Sequence, residues 1–172
     1  AKFGVNVTVS AEAARPIAVE STTPIGIAGY EEVLENGLHF FMTTAKALEA
    51  LEAKYKAKKD ASQAFKKGSI YRALKGIEDQ AVNTQIILSV FTKDDDSDTN
   101  DEITECKNAI LELTKAKSRF GYNPNLIIAP GFRHEDAVKG EIEKVATRLQ
   151  ATGIVDLKAQ DAAAAIVKMG DF

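Results

Sequence analysis

The segment Asn125-Leu-Ile-Ile-Ala-Pro-Gly-Phe-Arg-His-Glu-Asp-Ala-Val138 contains a short apolar strand that is followed almost at once by a helix. The apolar run Leu126 to Ile128 is rich in β-branched residues and lies between Pro124 and Pro130, which predicts a strand buried on both faces. Such strands belong to parallel sheets covered by helices. An aspartate in place of Leu126 is therefore expected to be severely destabilising.

The same strand-then-helix unit is repeated along the chain. Apolar runs at residues 24–28, 86–91 and 153–157 predict further strands, and we interpret residues 86–91 as a central one. Thr43 or Thr44 and Ser69 are expected to cap two of the intervening helices. The apolar stripes expected on the helices are Leu48, Leu51 and Tyr55; Ile70, Leu74, Ile77 and Ala81; Ile103, Cys106, Ile110 and Leu113; Val138, Ile142, Val145 and Leu149; and Ala162, Ile166 and Met169. This alternation predicts an α/β fold with a mostly parallel, helix-covered sheet.

Composition narrows the possible functions. The chain has 172 residues, 45% of them hydrophobic, which is enough for one domain with a proper core. Its net charge of -3 argues against general attraction to nucleic acid. The single cysteine excludes an intrachain disulfide. Because no apolar run approaches the ~20 residues that span a bilayer, no membrane insertion is predicted.

The first 20 residues are predicted to form an extended N-terminal arm, and residues 21–172 an α/β core domain. The arm alternates apolar and other residues, so that one face of it is apolar: Val5, Val7, Val9, Ile17 and Val19. Arg15-Pro16 divides the segment, and proline is tolerated in an edge strand rather than in a central one. Two interpretations stay open: an edge hairpin of the same domain, or a strand lent to a neighbouring subunit.

Two charged segments have a structural and a functional interpretation each. The basic one comprises Lys54, Lys56, Lys58, Lys59, Lys66 and Lys67. It is either a solvated helix end and loop, or a patch that faces an acidic partner. In the acidic segment, Asp94, Asp96 and Asp98 alternate as in a calcium loop, but Thr99 stands where the turn needs glycine. We therefore favour a solvated loop.

Few residues have the spacing of catalytic or ligand-binding motifs. Arg133, His134, Glu135 and Asp136 lie where a helix begins and could form an acid–base cluster, but acidic residues at a helix start are explained by the helix dipole. We therefore expect no catalytic role for His134. His39 is expected to pack, and Cys106 to be a buried apolar residue. The sequence contains no phosphate-binding loop, serine elbow or metal-ligand spacing, so neither an enzyme nor a cofactor is predicted.

Several segments resemble, in order, the tail sheath proteins of contractile-tailed bacteriophages. The arm, with Phe3-Gly-Val-Asn-Val-Thr8 and Ala14-Arg-Pro-Ile17, is similar to the opening of that family. Ser21-Thr-Thr-Pro-Ile-Gly-Ile-Ala-Gly29 is similar to its first core strand. Lys67-Gly-Ser-Ile-Tyr-Arg-Ala-Leu-Lys-Gly-Ile-Glu-Asp-Gln80 resembles the helix K-G-T-L-x-x-A-L-x-x-I-x-D-Q, and Phe120-Gly-Tyr-Asn-Pro-Asn-Leu-Ile-Ile-Ala-Pro-Gly131 resembles the element G-x-x-P-x-(strand)-x-P-G.

The resemblance implies a structural subunit that polymerises as a helical sheath around a tail tube and contracts to drive the tube through a cell envelope. Its implied partners are other copies of itself and the tube and baseplate proteins, without direct nucleic-acid contact. The implied location is the virion, after assembly in the host cytoplasm. Since family members continue well beyond residue 172, we expect a fragment or a shortened relative. The alternative is a small α/β enzyme or ligand-binding domain that uses the 130–136 loop.

Overall fold

The structure is a computed structural model that describes residues 23–80, 83–93 and 99–156. Five strands are present in this part of the chain: β1 (Ile25–Tyr30), β2 (Gly37–Phe41), β3 (Ile86–Phe91), β4 (Leu126–Ile128) and β5 (Thr152–Ile154). The helices are α1 (Thr44–Asp60), α2 (Ser69–Asp79), α3 (Thr99–Glu112), α4 (Ala116–Phe120) and α5 (Asp136–Leu149), with a 3-10 turn at Leu113–Lys115 between α3 and α4.

The five strands form one sheet in the order β2-β3-β1-β4-β5. β1 pairs in parallel with both β3 and β4, and β5 pairs in parallel with β4, whereas β2 runs antiparallel to β3. The predicted α/β class with a mostly parallel, helix-covered sheet is confirmed. β3, predicted from the sequence as a central strand, lies between β2 and β1 with all six of its residues buried, and β1 is the middle strand of the five.

Each face of the sheet carries its own apolar core. On one face, α1 and α2 cover alternate residues of β1 and β3, including Ile27 and Leu88. On the other face, α3 and α5 cover the residues between them, including Ala28 and Ile87. The expected stripes are found on these helices, with Leu51, Leu74, Ile110 and Ile142 among the completely buried side chains.

Two glycines of β1, Gly26 and Gly29, allow close packing. A methyl group on Gly26 would lie 2.8 Å from Cβ of Pro124, and one on Gly29 would lie 2.5 Å from Oγ of Ser69. Both distances are shorter than real contacts, so β1 can lie against the turn before β4 and against the start of α2 only without these side chains.

Three details differ from the sequence-based expectations. Only Ile127 of β4 is fully buried, while Leu126 and Ile128 are half-buried, because α1 and α2 lie over β1 and β3 and leave one face of β4 partly open. β5 is exposed along its three residues, Thr152 to Ile154. Ser69 does not cap α2: Gly68 occupies that position, and the Ser69 hydroxyl instead accepts a hydrogen bond from the Tyr30 backbone N–H at 3.1 Å. The Thr43 cap of α1 is confirmed by its contact with Lys46 N at 3.2 Å.

Some predictions lie outside the described residues. They are the N-terminal arm with Val5, Val7, Val9, Ile17 and Val19, the position of Ala81 on α2, the acidic residues Asp94, Asp96 and Asp98, and the last predicted helix with Ala162, Ile166 and Met169. These remain predictions from sequence.

Candidate functional site

The carboxyl ends of the four parallel strands meet at one edge of the sheet, where open α/β folds usually bind their ligands. β1 is followed there by Glu31 and Glu32, and β3 is followed by Thr92 and Lys93. The loop between α1 and α2 reaches the same edge, since its end packs against Tyr30 and Glu31. This edge is therefore the candidate site, and its residues come from three separate parts of the sequence.

Glu31 is almost completely buried at this edge, with 1% of its surface exposed. Its Oε1 accepts a hydrogen bond from the hydroxyl of Tyr55 and another from the backbone N–H of Glu32 at 3.2 Å. Its Oε2 accepts from the backbone N–H of Tyr71 at 3.2 Å. The Tyr55 oxygen in turn accepts from the N–H of Gly68 at 3.1 Å. One carboxyl group thus joins the end of β1 to α1 and to the first turn of α2.

Burial raises the pKa of Glu31 above its ordinary value, although the hydrogen bonds from Tyr55, Tyr71 and Glu32 act in the opposite direction. Burial also raises the pKa of Tyr55, and its hydrogen bond to Glu31 adds to that effect. Tyr55 therefore keeps its proton and acts as a donor. The buried network holds the loop before α2 against the end of β1.

A small pocket of about 270 Å³ opens beside this network. Its lining residues are Tyr30, Glu32, Lys66, Arg72 and Lys93. Glu32 lies 3.8 Å from the ammonium group of Lys58 and accepts a hydrogen bond from the backbone N–H of Lys66 at 3.2 Å. Lys93 pairs with Glu102 at 2.5 Å and lies 5.9 Å from the centre of the Tyr30 ring. The pocket is lined by three cations and a single carboxylate.

A wider groove of about 460 Å³ runs between α2 and the loop after β4. Its apolar wall includes Ile77 and Ile128, and Arg72 and Arg133 stand among its polar residues. Arg72 lines both this groove and the smaller pocket, so the two cavities are neighbours.

The predicted acid–base residues of the 130–136 loop form separate local pairs. Arg133 pairs with Asp156 at 2.5 Å, and His134 lies 2.9 Å from Glu135. Asp136 accepts from Lys139 at 2.9 Å within the first turn of α5. None of these contacts joins His134 to a buried carboxylate, so the geometry gives no reason to assign it a catalytic role.

The six lysines of the predicted basic patch divide into two groups. Lys54, Lys56 and Lys59 are exposed on α1, and the half-buried Lys58 faces Glu32. Lys66 and Lys67 lie in the loop before α2, where Lys67 stacks over the Tyr71 ring at 4.0 Å. Only the second group, together with Lys58, reaches the edge with Glu31 and Glu32.

Both sheet edges are open in the part of the chain that the structure describes. β5 pairs there only with β4, and β2 only with β3. Near β2, Phe40 stacks on Phe120 and Tyr122, with ring centres 5.6 and 5.3 Å away, and 39% of Tyr122 is exposed. At the other edge, 42% of Ile154 is exposed. Open strands with exposed apolar side chains can accept another strand or chain.

The surroundings of the other candidate residues, Cys106 and His39, indicate structural rather than chemical roles. Burial raises the pKa of the Cys106 thiol to about 12, so it is not an activated nucleophile. His39 places Nε2 2.8 Å from the carbonyl oxygen of Glu35. Within residues 23–80, 83–93 and 99–156, no three His, Cys, Asp or Glu side chains are grouped as a metal site. No helix in the same ranges is long and apolar enough to cross a membrane.

Glu31, Tyr55 and Arg72 are members of one site that the sequence patterns do not identify. Tyr55 does lie on the predicted buried stripe of α1, but its hydroxyl partner is 24 residues earlier and cannot be identified by local periodicity. The one sequence feature that could have indicated this site is the pair Glu31-Glu32, which directly follows a buried strand.

Comparison with known proteins adds no family assignment. No family model matches the chain, and no curated protein matches it with significance.

Proposed function

We propose that this chain is a structural subunit of a contractile tail sheath. The proposal rests on the ordered resemblance of its segments to that family, and the fold supports it in one specific way. The three resembling segments in the described residues are β1, α2 and the Phe120–Gly131 segment, and they pack directly on one another. Gly29 of β1 lies against Ser69 of α2, and Gly26 of β1 lies against Pro124 of the Phe120–Gly131 segment.

That packing explains why several of the resembling positions are glycine. The two glycines of β1 have no room for a side chain, and Gly68 has none either, since a methyl group there would overlap the carbonyl oxygen of Tyr30. Gly26, Gly29 and Gly68 thus lie within the resembling segments at positions where close contacts of this fold leave no room for a side chain. This relation is the observation that carries the proposal.

A sheath subunit must also bind its neighbours along more than one surface. Within the described residues, the edge strands β2 and β5 each leave one side unpaired and so offer backbone hydrogen-bonding groups. The aromatic residues near β2 and Ile154 in β5 offer apolar area beside them. In the proposed function, added strands preserve the connections between subunits while side-chain contacts rearrange on contraction. The partners are other copies, the tail tube and the baseplate, and the location is the virion.

Electron microscopy of the full-length product of the encoding gene tests this proposal. We expect tubular polymers with a regular helical repeat, either spontaneously or after addition of the matching tube protein. A product that stays monomeric at high concentration, with and without the tube protein, would contradict the proposal.

The 460 Å³ groove is the observation that favours a second candidate, a small ligand-binding domain or enzyme that uses the 130–136 loop. Pro130, Gly131 and Arg133 line this groove on the loop side. The volume falls in the range of ~300–1,000 Å³ that is usual for small-molecule sites. A saturable, ligand-dependent rise in melting temperature that Ile77→Glu abolishes would support this candidate. No rise with any compound of a metabolite panel would count against it.

A further inference from the structure

The groove between α2 and the loop after β4 lies beside a part of the sheet that the described helices cover incompletely. Ile128 of β4 is on the face that carries α1 and α2, and it is only half-buried. Ile154 of β5 is in register with Ile128, so it lies on the same face, and 42% of it is exposed. The described residues thus leave apolar surface open over β4 and β5 on this face.

The opposite face of the same two strands is already covered by α5. Ile127 is completely buried there, and a methyl group added to its register partner Gly153 would lie 2.5 Å from Ile142 of α5. A cavity of about 360 Å³ remains beside α5, and its lining includes four polar side chains: Lys139, Glu143, Thr147 and Gln150. The more apolar free surface is therefore the groove on the face of α1 and α2.

Asp156, the last described residue, lies at the rim of this groove. Arg133 is part of the groove lining, and its side chain pairs with the Asp156 carboxylate at 2.5 Å. The backbone N–H of Asp156 also donates a hydrogen bond to the carbonyl oxygen of Arg133 at 3.1 Å. Residues 157–172 follow directly on Asp156, so this segment starts where the groove opens.

The sequence of that segment suits the groove. It contains four consecutive alanines, residues 162–165, and alanine is the strongest helix former. In the predicted helix, Ala162, Ile166 and Met169 form one apolar face. A helix of about ten residues would be about 15 Å long, which is close to the length of the 11-residue α2 beside the groove.

We propose that residues 157–172 pack into this groove as an amphipathic helix. Ile166 and Met169 lie against the apolar groove wall, and the helix covers Ile128 and Ile154, so that both faces of the sheet carry a complete helical layer. A groove filled in this way has no space for the small-molecule ligand of the second candidate function. The inference concerns the single chain and does not depend on sheath assembly.

Cross-linking of the 172-residue chain with a short bismaleimide tests where the segment lies. The pair Gly76→Cys and Ala165→Cys should cross-link within one chain, because Gly76 lines the groove and a methyl group there would have no neighbour within 4 Å. The matched control pairs Ala165→Cys with Thr147→Cys, which lies in the cavity beside α5 and should cross-link several-fold more slowly. Cys106 is completely buried and does not compete for the reagent. Arg72→Cys, on the same groove wall, replaces Gly76→Cys if that variant fails to fold.

Thermal unfolding tests whether the predicted apolar face makes the contact. Ile166→Glu should lower the melting temperature by about 4 °C or more, because it places a charge against the apolar wall of the groove. Ala164→Glu is the matched control, since Ala164 lies on the opposite side of the predicted helix and its glutamate stays in water.

Several results would overturn the proposal. A faster cross-link to Thr147→Cys would place the segment beside α5, and a cross-link only between two chains would make a second copy the occupant of the groove. Cross-links of similar yield in both pairs, or in neither, would show that the segment has no fixed position in the groove. Equal melting temperatures of Ile166→Glu and Ala164→Glu would contradict the predicted contact face. All readouts use the unassembled chain, so they are independent of sheath formation.

Discussion

The hydroxyl group of Tyr55 donates a hydrogen bond to Oε1 of the buried Glu31, and the same hydroxyl oxygen accepts one from the N–H of Gly68. Tyr55 thereby connects α1 to the end of β1 and to the residue that precedes α2. Such a link is sensitive to single substitutions, because a buried polar group that loses its partner keeps the cost of leaving water.

The Tyr55→Phe variant should be less stable than the wild type by about 1–3 kcal/mol, since Glu31 loses a donor and Gly68 loses an acceptor while the ring is retained. Urea unfolding measures the difference. Tyr71→Phe is the matched control: its hydroxyl contacts the exposed Glu52 at 3.2 Å, and its removal should change the stability by less than about 0.5 kcal/mol. If both variants lose the same free energy of unfolding, the buried Tyr55 hydroxyl stabilises the chain no more than the exposed Tyr71 hydroxyl does.

The raised pKa of Glu31 predicts a specific pH dependence of folding. An acid whose pKa is higher in the folded than in the unfolded chain contributes stability below the unfolded value, which is ordinarily 4.5, and this contribution is lost as the pH rises through the folded value. Glu31→Gln cannot titrate, so its stability relative to the wild type should increase as the pH rises above about 4.5. Unfolding curves between acidic and neutral pH test this. A relative stability that falls with rising pH would mean that the Glu31 pKa is lowered instead.

The two glycines of the α2 segment should respond in opposite ways to alanine. A methyl group at Gly68 would overlap the carbonyl oxygen of Tyr30 and lie 2.9 Å from Cα of Glu31, so Gly68→Ala should destabilise by about 1–3 kcal/mol or more. Gly76 lies inside α2, and a methyl group there would have no neighbour within 4 Å, so Gly76→Ala should stabilise by about 0.5–1 kcal/mol. Thermal or urea unfolding of both variants measures these changes in stability. Losses of similar size at both positions would contradict the packing described for Gly68.

Burial in β4 distinguishes two neighbouring positions that look alike in the sequence. Ile127 is fully buried, and an unpaired carboxylate there should cost about 4 kcal/mol or more, so that Ile127→Asp unfolds most of the chain. Leu126 is half-buried, and its aspartate can reach water, so Leu126→Asp should cost only about 1–2 kcal/mol. This lowers the effect expected from the sequence alone. Circular dichroism during urea unfolding separates the two, and an Ile127→Asp variant as stable as Leu126→Asp would be inconsistent with the strand register.

These positions show how far sequence reasoning reaches in this chain. β1 and β3 are predictable because their residues are apolar on both faces, and the close approach at Gly26 and Gly29 follows from glycine inside a strand. The partly open face of β4 is not predictable, because it depends on where α2 lies over the sheet. The Glu31 network escapes prediction for a similar reason: an acidic residue after a strand is usually solvated, and only the three-dimensional position of Tyr55 makes it a buried acceptor.

The N-terminal arm, residues 1–20, is predicted from its sequence to extend to a neighbouring subunit. Both apolar cores of the described structure consist of residues from Ile25 onward, and the five strands of the sheet pair among themselves. If the arm extends to a neighbouring subunit, its deletion removes no core contact of its own domain. The chain without residues 1–20 should therefore melt within about 2 °C of the whole chain.

Assembly should respond differently from stability, because the alternating valines of the arm need one apolar surface and a free strand edge, both of which a neighbour can provide. Deletion of residues 1–20 from the full-length protein should abolish polymers in electron micrographs, and so should the triple substitution of Val5, Val7 and Val9 by lysine. Replacing Asn6 and Thr8 by lysine is the matched control, since these residues alternate with the valines and are predicted to lie on the opposite face of the arm, so polymers should persist. A large fall in melting temperature on deletion would instead identify the arm as a strand of its own domain, and the exchange between subunits would no longer apply to this segment.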